Sequence, residues 1–568
     1  MQARRRNIFK KILIRSLFGF LLLILILIVY LLIIAVDHPP KEDDFSGMRT
    51  RRIRYGANTY ILGNNWLRKS ESGLWEAYIE GKPFNRGVAF GRLTRELLYY
   101  QETNFVDQIR ELVPSEAYLR ILKYFIVFFN RNLDKNIPIE YRHEIFGTSL
   151  SCSPEYDFIG SGYQRQLNYH AAHDIGHALL GMKMVGCTSF SVWNGSSSDS
   201  FLLVGRNFDF YMGRKFAENK IICFVNPSSG HKFMMITWAD LVGVVSGMND
   251  QGLTVTLNAA KSDIPHQAAT PVTILAREIL QYASTIEEAY QISKRRKLFV
   301  SESIMIGSSH DHKTAIIEKS PGKDDLVNPD SSMIICTNHY QGKAFSGNRM
   351  NLGNIHGSDS YDRYRRVYEL MSRNKPLNAG KAVNILRDRL GLGDRDVGMG
   401  NQLAINQLIA HHSVLFKPDS LMVWVSAGPW QLGKYVAYDL KKIFHLPIGQ
   451  IKENKEIYSA SRTIPADDFL KSPLYHQFQN YQSMTIKIDG FRKTGRDLPA
   501  GFERAYVETN PSLYLTYVHL AEYFESVGAY DKAYSWYRTA LSREMPGIDE
   551  ENSLKTKAAL LLKKMHHD

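Results

Sequence analysis

The longest hydrophobic feature of the chain lies near its start. From Ser16 to Val36 (SLFGFLLLILILIVYLLIIAV) no residue is charged, and about 20 apolar residues are what a helix needs to cross a bilayer. A cleavable signal peptide is the rival reading. Its apolar region is usually about 7 to 15 residues and ends in a small-residue site, which the AVDHPP that follows supplies poorly. Arg4, Arg5, Arg6, Lys10, Lys11 and Arg15 precede the run and Lys41-Glu42-Asp43-Asp44 follow it, which orients the N-terminus to the cytoplasm by the positive-inside rule. The chain beyond about residue 37 is then expected outside the cytoplasm.

Past the span the texture changes twice. Residues 37–186 read as mostly helical, and the aromatic-rich stretch near Tyr118 to Asn132 has the spacing of one buried helical face. From Cys187 onward short β-rich runs alternate with Gly, Asn and Asp: TSFSVWN, SFLLVGRNFDF, KIICFVN, KFMMITW, LVGVVSG and GLTVTLNAA. That is the pattern of successive antiparallel strands and turns. Thr270 to Arg295 reads as one helix, since Val272, Leu275, Ala276, Ile279 and Leu280 recur at helical spacing. Strands are expected again at SIMIGSS, TAIIEKS, MIICTNHY and SLMVWVSAG, with helices near Tyr361 to Met371 and Ala379 to Leu390. Strands and helices grouped in runs favour a layered α+β fold over βαβ repetition. Near the end, Tyr517, Leu520, Ala521, Phe524, Gly528, Tyr530, Ala533, Tyr537 and Ala540 fall at the offsets of a tetratricopeptide-like hairpin. One copy cannot form a free-standing array, so it is expected to pack on the rest of the chain, with a protein partner as its alternative use.

Composition narrows the function class. The 568 residues are 44% hydrophobic and 22% charged, which is globular usage. Net charge is +13, and setting aside the six basic residues ahead of the span leaves +7. So dilute a charge argues against nucleic acid, which calls for a clustered basic face. Four Cys with no CxxC pair exclude a disulfide-stapled scaffold and a Cys-rich zinc module.

Candidate chemistry centres on MVGCTSFSVWN and GRNFDF. A Cys that follows Gly and opens a strand is a candidate nucleophile, with Arg206 and Asp209 near in sequence to polarise it. Cys152, Cys223 and Cys336 read as buried apolar residues. Three further motifs carry polar residues at strand and helix ends: GMNDQGLTVTLNAA, CTNHY and SDSYDRYRR.

Taken in order, these five motifs resemble the N-terminal-nucleophile hydrolases of the choloylglycine hydrolase, penicillin V acylase and acyl-coenzyme A:6-aminopenicillanate acyltransferase group. The resemblance covers about Gly186 to Gly428. It implies a four-layer αββα sandwich in which Cys187 is the nucleophile, freed by autocatalytic cleavage of the Gly186-Cys187 bond. The new α-amine would serve as general base, since such a group titrates near 7.7 to 8.0. Asp209 would hold that amine and Arg206 would favour the thiolate. Asn258 would donate to the oxyanion. Asn338 and Arg363 would orient the network, with Arg365 and Arg366 close enough to confuse the register. The resemblance implies no cofactor, a thioester intermediate, and an N-acyl amide or other acyl donor as substrate, lipid-like if tethering guides it. One departure from the family is the length ahead of the nucleophile, 186 residues, too long and apolar for a disposable leader.

Two other readings stay open. His170, His173 and His177 in YHAAHDIGHALLG share a helical face at zinc-protease spacing, although Asp174 stands where the catalytic Glu belongs. A noncatalytic membrane-tethered scaffold using the C-terminal hairpin is the other. His411 and His412 open a strand and are given no role. The expected organisation is a basic tail (1–15), a membrane anchor (16–36), a mostly helical pro-segment (37–186), a catalytic domain (187–450), a linker (451–510) and a helical C-terminus (511–568).

Overall fold

The computed structural model describes residues 2–34, 38–112, 130, 132–180, 186–210, 213, 215–261 and 269–565, with the side chains of 2–10, 32, 34, 111, 112 and 172–180 outside the description. The aromatic stretch near Tyr118 falls almost wholly outside it, as do the side chains of His173, Asp174 and His177.

Two β-sheets organise the chain. Among the described residues one has six strands, ordered Met333–Cys336, Thr188–Asn194, Ser200–Phe208, His412–Lys417, Met422–Ser426 and Tyr435–Asp439, all antiparallel. The other has eleven, including Trp75–Gly81, Ile221–Pro227, Phe233–Thr237, Ser246–Asn249, Leu253–Ala259, Glu302–Ser308 and Lys313–Lys319. Their strands are apolar on both sides because each sheet is covered on both. Val204, Val414 and Val425 of the first meet Phe224, Ile236, Met248 and Met305 of the second in one dry core. Outward, the larger sheet packs on Leu167, Ile274, Leu275 and Ile279 of helices, and the smaller on Val367, Met371, Val383 and Leu386.

Three stretches differ from their sequence patterns. Thr270 to Arg295 forms two helices, Val272–Tyr282 and Ile286–Lys294. The break comes from local chemistry: Thr285 caps the second helix, its Oγ1 accepting from Glu288 N while the Glu288 carboxylate accepts from Thr285 N, a reciprocal capping box. The described part of residues 37–186, expected mostly helical, also supplies four strands, the last of which (Trp75–Gly81) pairs in parallel with Ile221–Pro227. Residues 451–510, expected as a linker, hold the helices Pro473–Thr494 and Phe502–Thr509. Their Phe478, Tyr481, Ile488 and Tyr506 share a core with Tyr517, Leu520, Phe524 and Tyr537 of the helices Tyr514–Ser526 and Tyr530–Ala540. At the other end, Lys11–Leu31 of the helix Gln2–Ile34 is long and apolar enough to cross a membrane, and none of it is buried against protein.

Candidate active site

The six residues singled out by the motifs come from five separate elements and converge. Cys187 directly precedes the strand Thr188–Asn194, whose Ser189 pairs with Arg206 on one side and Cys336 on the other. That pairing fixes where Arg206 stands. Its guanidinium crosses to the facing sheet, donating to the Val245 carbonyl at 2.5 Å, to Ser246 Oγ and to the Leu257 carbonyl, and lies 3.8 Å from Cys187 Sγ. Phe208 stacks beneath it, 4.5 Å from ring centre to guanidinium carbon.

Asn258 sits on the strand Leu253–Ala259 of the facing sheet. Its Oδ1 accepts from Ser189 Oγ at 2.8 Å and its Nδ2 donates to the Cys336 carbonyl at 3.0 Å. Asn338 follows the strand Met333–Cys336, and its Nδ2 donates to the Ala259 carbonyl at 3.0 Å. Arg363, one turn into the helix Ser360–Asn374, donates to the Cys187 carbonyl at 2.7 Å, to Thr188 Oγ1 at 2.9 Å and to Asn338 Oδ1 at 2.9 Å. Of its neighbours, Arg365 is exposed and Arg366 is turned to Asp388, Glu369 and Asp394. The structure thus separates three arginines that the sequence leaves in competition.

Asp209 is different. Its carbonyl accepts from Gly186 N at 3.0 Å, yet both carboxylate oxygens are buried with no hydrogen-bond partner among the described residues. Burial pushes its carboxyl up to about 8, against the pull of Arg363 and Arg206. A buried carboxylate without a partner is costly, so the fold keeps this one largely protonated near neutrality. The Cys187 thiol is 1% exposed, and burial raises it to about 11, outweighing Arg206; the Asp209 and Glu302 charges raise it further. In the continuous chain Cys187 is therefore a neutral, enclosed thiol.

Sequence reasoning passed over several residues here. Gln407 Nε2 donates to the Gly186 carbonyl at 3.0 Å, a contact between positions far apart that no local motif announces. Ser246 and His412, joined at 2.8 Å, stand behind Arg206, and burial with neighbouring positive charge holds His412 well below the usual imidazole range. Asp359 pairs with Arg363 at 2.8 Å. The DS preceding YDR was the available signal for Asp359, as an acid four residues ahead on a helix face.

The metal reading of His170 is corrected. Its Nδ1 lies 2.7 Å from the Gln166 carbonyl and its Nε2 accepts from Val242 N at 3.0 Å, so both ring nitrogens are taken inside a buried core. A cavity of about 680 Å³ lies between residues 384–399 and 467–512, lined by Arg387, Asp388, Asp396 and Asp467, and none of the six converging residues borders it.

Comparison with known proteins agrees with the motifs. Residues 193–396 match the family model for acyl-coenzyme A:6-aminopenicillanic acid acyl-transferase, so the family resemblance holds over a segment that contains Arg206, Asp209, Asn258, Asn338 and Arg363 and begins just after Cys187. An uncharacterized protein of Archaeoglobus fulgidus is 23% identical over 269 residues, 44% of this chain; the chain spans 44% of that relative's length. Among solved structures, the Caenorhabditis elegans ortholog of N-acylethanolamine-hydrolyzing acid amidase is 18% identical, with 41% of this chain and 93% of that one covered at a TM-score of 0.29. A conjugated bile acid hydrolase from Clostridium perfringens is 13% identical, with 45% and 92% covered at a TM-score of 0.32.

Proposed function

We propose that the protein is a membrane-anchored, self-cleaving cysteine amidohydrolase or acyltransferase that acts on the linear amide of an N-acyl compound. The observation that carries this reading is the Gly186-Cys187 junction: a thiol 3.8 Å from a buried guanidinium, beside a buried carboxyl group with no hydrogen-bond partner among the described residues. Cleavage would create at Cys187 the α-ammonium that Asp209 lacks as a partner. The same event gives the thiol a base within its own residue, because an α-amine titrates near neutrality. Arg206 then favours the thiolate as a fixed positive charge that cannot lose its proton.

In turnover Cys187 attacks the acyl carbonyl, the amine leaves, and water or a second amine resolves the thioester. Asn258 supplies a neutral amide donor where charge develops on the acyl oxygen, and Asn338 and Arg363 orient the network around Cys187. Hydrolysis and transfer share this intermediate and differ in the acceptor admitted. The two covered sheets support an αββα sandwich, and the pair Tyr514–Ser526 and Tyr530–Ala540 supports a tetratricopeptide-like hairpin docked on it. The apolar Lys11–Leu31 helix supports a single span, and the basic residues ahead of it favour a body outside the cytoplasm, a placement that brings acyl lipids within reach as substrates.

Intact mass and N-terminal sequencing of the purified chain beside Cys187→Ala test the reading. A fragment beginning at Cys187 is expected from the wild type and only full-length chain from the variant. Wild-type protein that stays folded and full length, or a variant cut at the same bond, would overturn it.

A further inference from the structure

We infer that Gln407 is a catalytic residue of the self-cleavage step, its side-chain amide donating to the oxyanion that forms on Gly186. This rests on the autoprocessing reading above. The carbonyl that Cys187 must attack is that of Gly186, and Gln407 Nε2 already donates to its oxygen at 3.0 Å. Gln407 is 2% exposed, so the bond is made away from water, where a fixed dipole acts most strongly on developing charge.

The surroundings hold both partners in place. Gly186 N donates to the Asp209 carbonyl and the Cys187 carbonyl accepts from Arg363, which fixes the chain on either side of the scissile bond. On the other side, Asn406 N donates to the Asp388 carbonyl at 2.8 Å and Asn406 Oδ1 accepts from Leu408 N at 3.1 Å. Leu408 sits at φ 55°, a left-handed conformation that a leucine keeps only where its surroundings impose it. Gly186 fits the same arrangement: a Cβ there would stand 2.3 Å from Gln407 Nε2 and 2.7 Å from its Oε1. Glycine is what lets the amide reach the carbonyl. Asn258 Nδ2 donates to the Cys336 carbonyl, and it is Gln407 that holds the Gly186 oxygen in the continuous chain.

The step balances without a further reactant except water. Cys187 Sγ adds to the Gly186 carbonyl carbon, giving the oxyanion under Gln407. Its collapse breaks the Gly186 C to Cys187 N bond, the nitrogen takes up the thiol proton, and a thioester links the two residues. Water then adds to the thioester, passing again through an oxyanion at the same place, and releases the Gly186 carboxylate and the Cys187 thiol with a free α-amine.

The test follows the full-length chain over time by intact mass, in wild type, Gln407→Met, Gly186→Ala and the double variant. Methionine keeps the length of the side chain and removes the donor. Cleavage of Gln407→Met is expected to slow by roughly 100-fold or more, the usual loss of one oxyanion donor, with near-ultraviolet circular dichroism unchanged. Gly186→Ala is expected to slow cleavage in the wild type and to add little on top of Gln407→Met, because both remove one contact. Cleavage of Gln407→Met at the wild-type rate, or fully additive effects in the double variant, would overturn the role of Gln407 and leave self-cleavage standing. A folded wild type that never cleaves would remove the reading on which the inference depends. If Gln407→Met fails to fold, the folded Gly186→Ala chain decides by itself: wild-type cleavage with the amide displaced overturns the inference.

Discussion

Asp209 illustrates how a single buried group ties function to stability. Its folded carboxyl is raised to about 8 by burial, against about 3.9 in an unfolded chain. Between those values the folded state keeps a proton that the unfolded state has lost. Stability from this group is therefore full below about pH 4 and falls as pH rises toward 8. In the uncut Cys187→Ala background, Asp209→Asn is expected to remove this slope. Thermal unfolding from pH 5 to pH 8 measures it: the Asn variant should gain most at pH 8. Equal pH dependence in the two proteins would mean that the carboxylate finds a partner in solution. The sequence named Asp209 through its place in GRNFDF, but its missing partner is a property of the folded surroundings, which no one-dimensional pattern carries.

At the scale of the element, the helix Ser360–Asn374 shows what periodicity conveys and what it does not. Its apolar stripe, Val367 and Met371 among others, is plain in the sequence, and so is its position. Which of Arg363, Arg365 and Arg366 faces Cys187 depends on the helix's rotation against the sheet, which packing sets. Arg363 points to Cys187 and Arg366 is 1% exposed among Asp388, Glu369 and Asp394. Arg366→Met removes the cation from Asp388, while Arg373 still pairs with Glu369 and Asp394, and is expected to cost about 1 to 3 kcal/mol. Arg365→Ala, at an exposed position, should change stability by less than about 0.5 kcal/mol. Urea unfolding of both variants checks this, and equal losses would show that the helix rotation is wrong. The strands were legible from alternation with turn residues, since Gly, Asn and Asp punctuate them. The capping box at Thr285 was legible too, as Thr followed three residues later by Glu, but a continuous apolar stripe from Val272 to Ile292 masked it. Gln407 was illegible because its meaning is a contact with Gly186 and nothing in the NQL segment distinguishes it from an ordinary turn.

For the whole molecule, the decisive fact is that the segment ahead of Cys187 is woven into the body behind it. Trp75–Gly81 pairs residue by residue with Ile221–Pro227, inside the sheet rather than at its edge. Ion pairs cross the same divide: Arg277 meets Glu144 at 3.2 Å, and Arg68 meets Glu456 at 2.5 Å. Tyr438 Oη adds a bond to Glu76 Oε1 at 2.9 Å. The sequence could assign this segment apolar helices but could not show a parallel pairing between strands so far apart. Cutting after Gly186 breaks one covalent bond and none of these contacts, and separating the pieces would expose a sheet interior and strand buried charges without partners. The two fragments are therefore expected to remain one noncovalent particle. Size-exclusion chromatography in mild detergent should elute the chain up to Gly186 together with the chain from Cys187, and urea should release them only over the range in which near-ultraviolet circular dichroism is lost. A fragment from Cys187 that elutes alone without denaturant would show that the N-terminal segment is a leader.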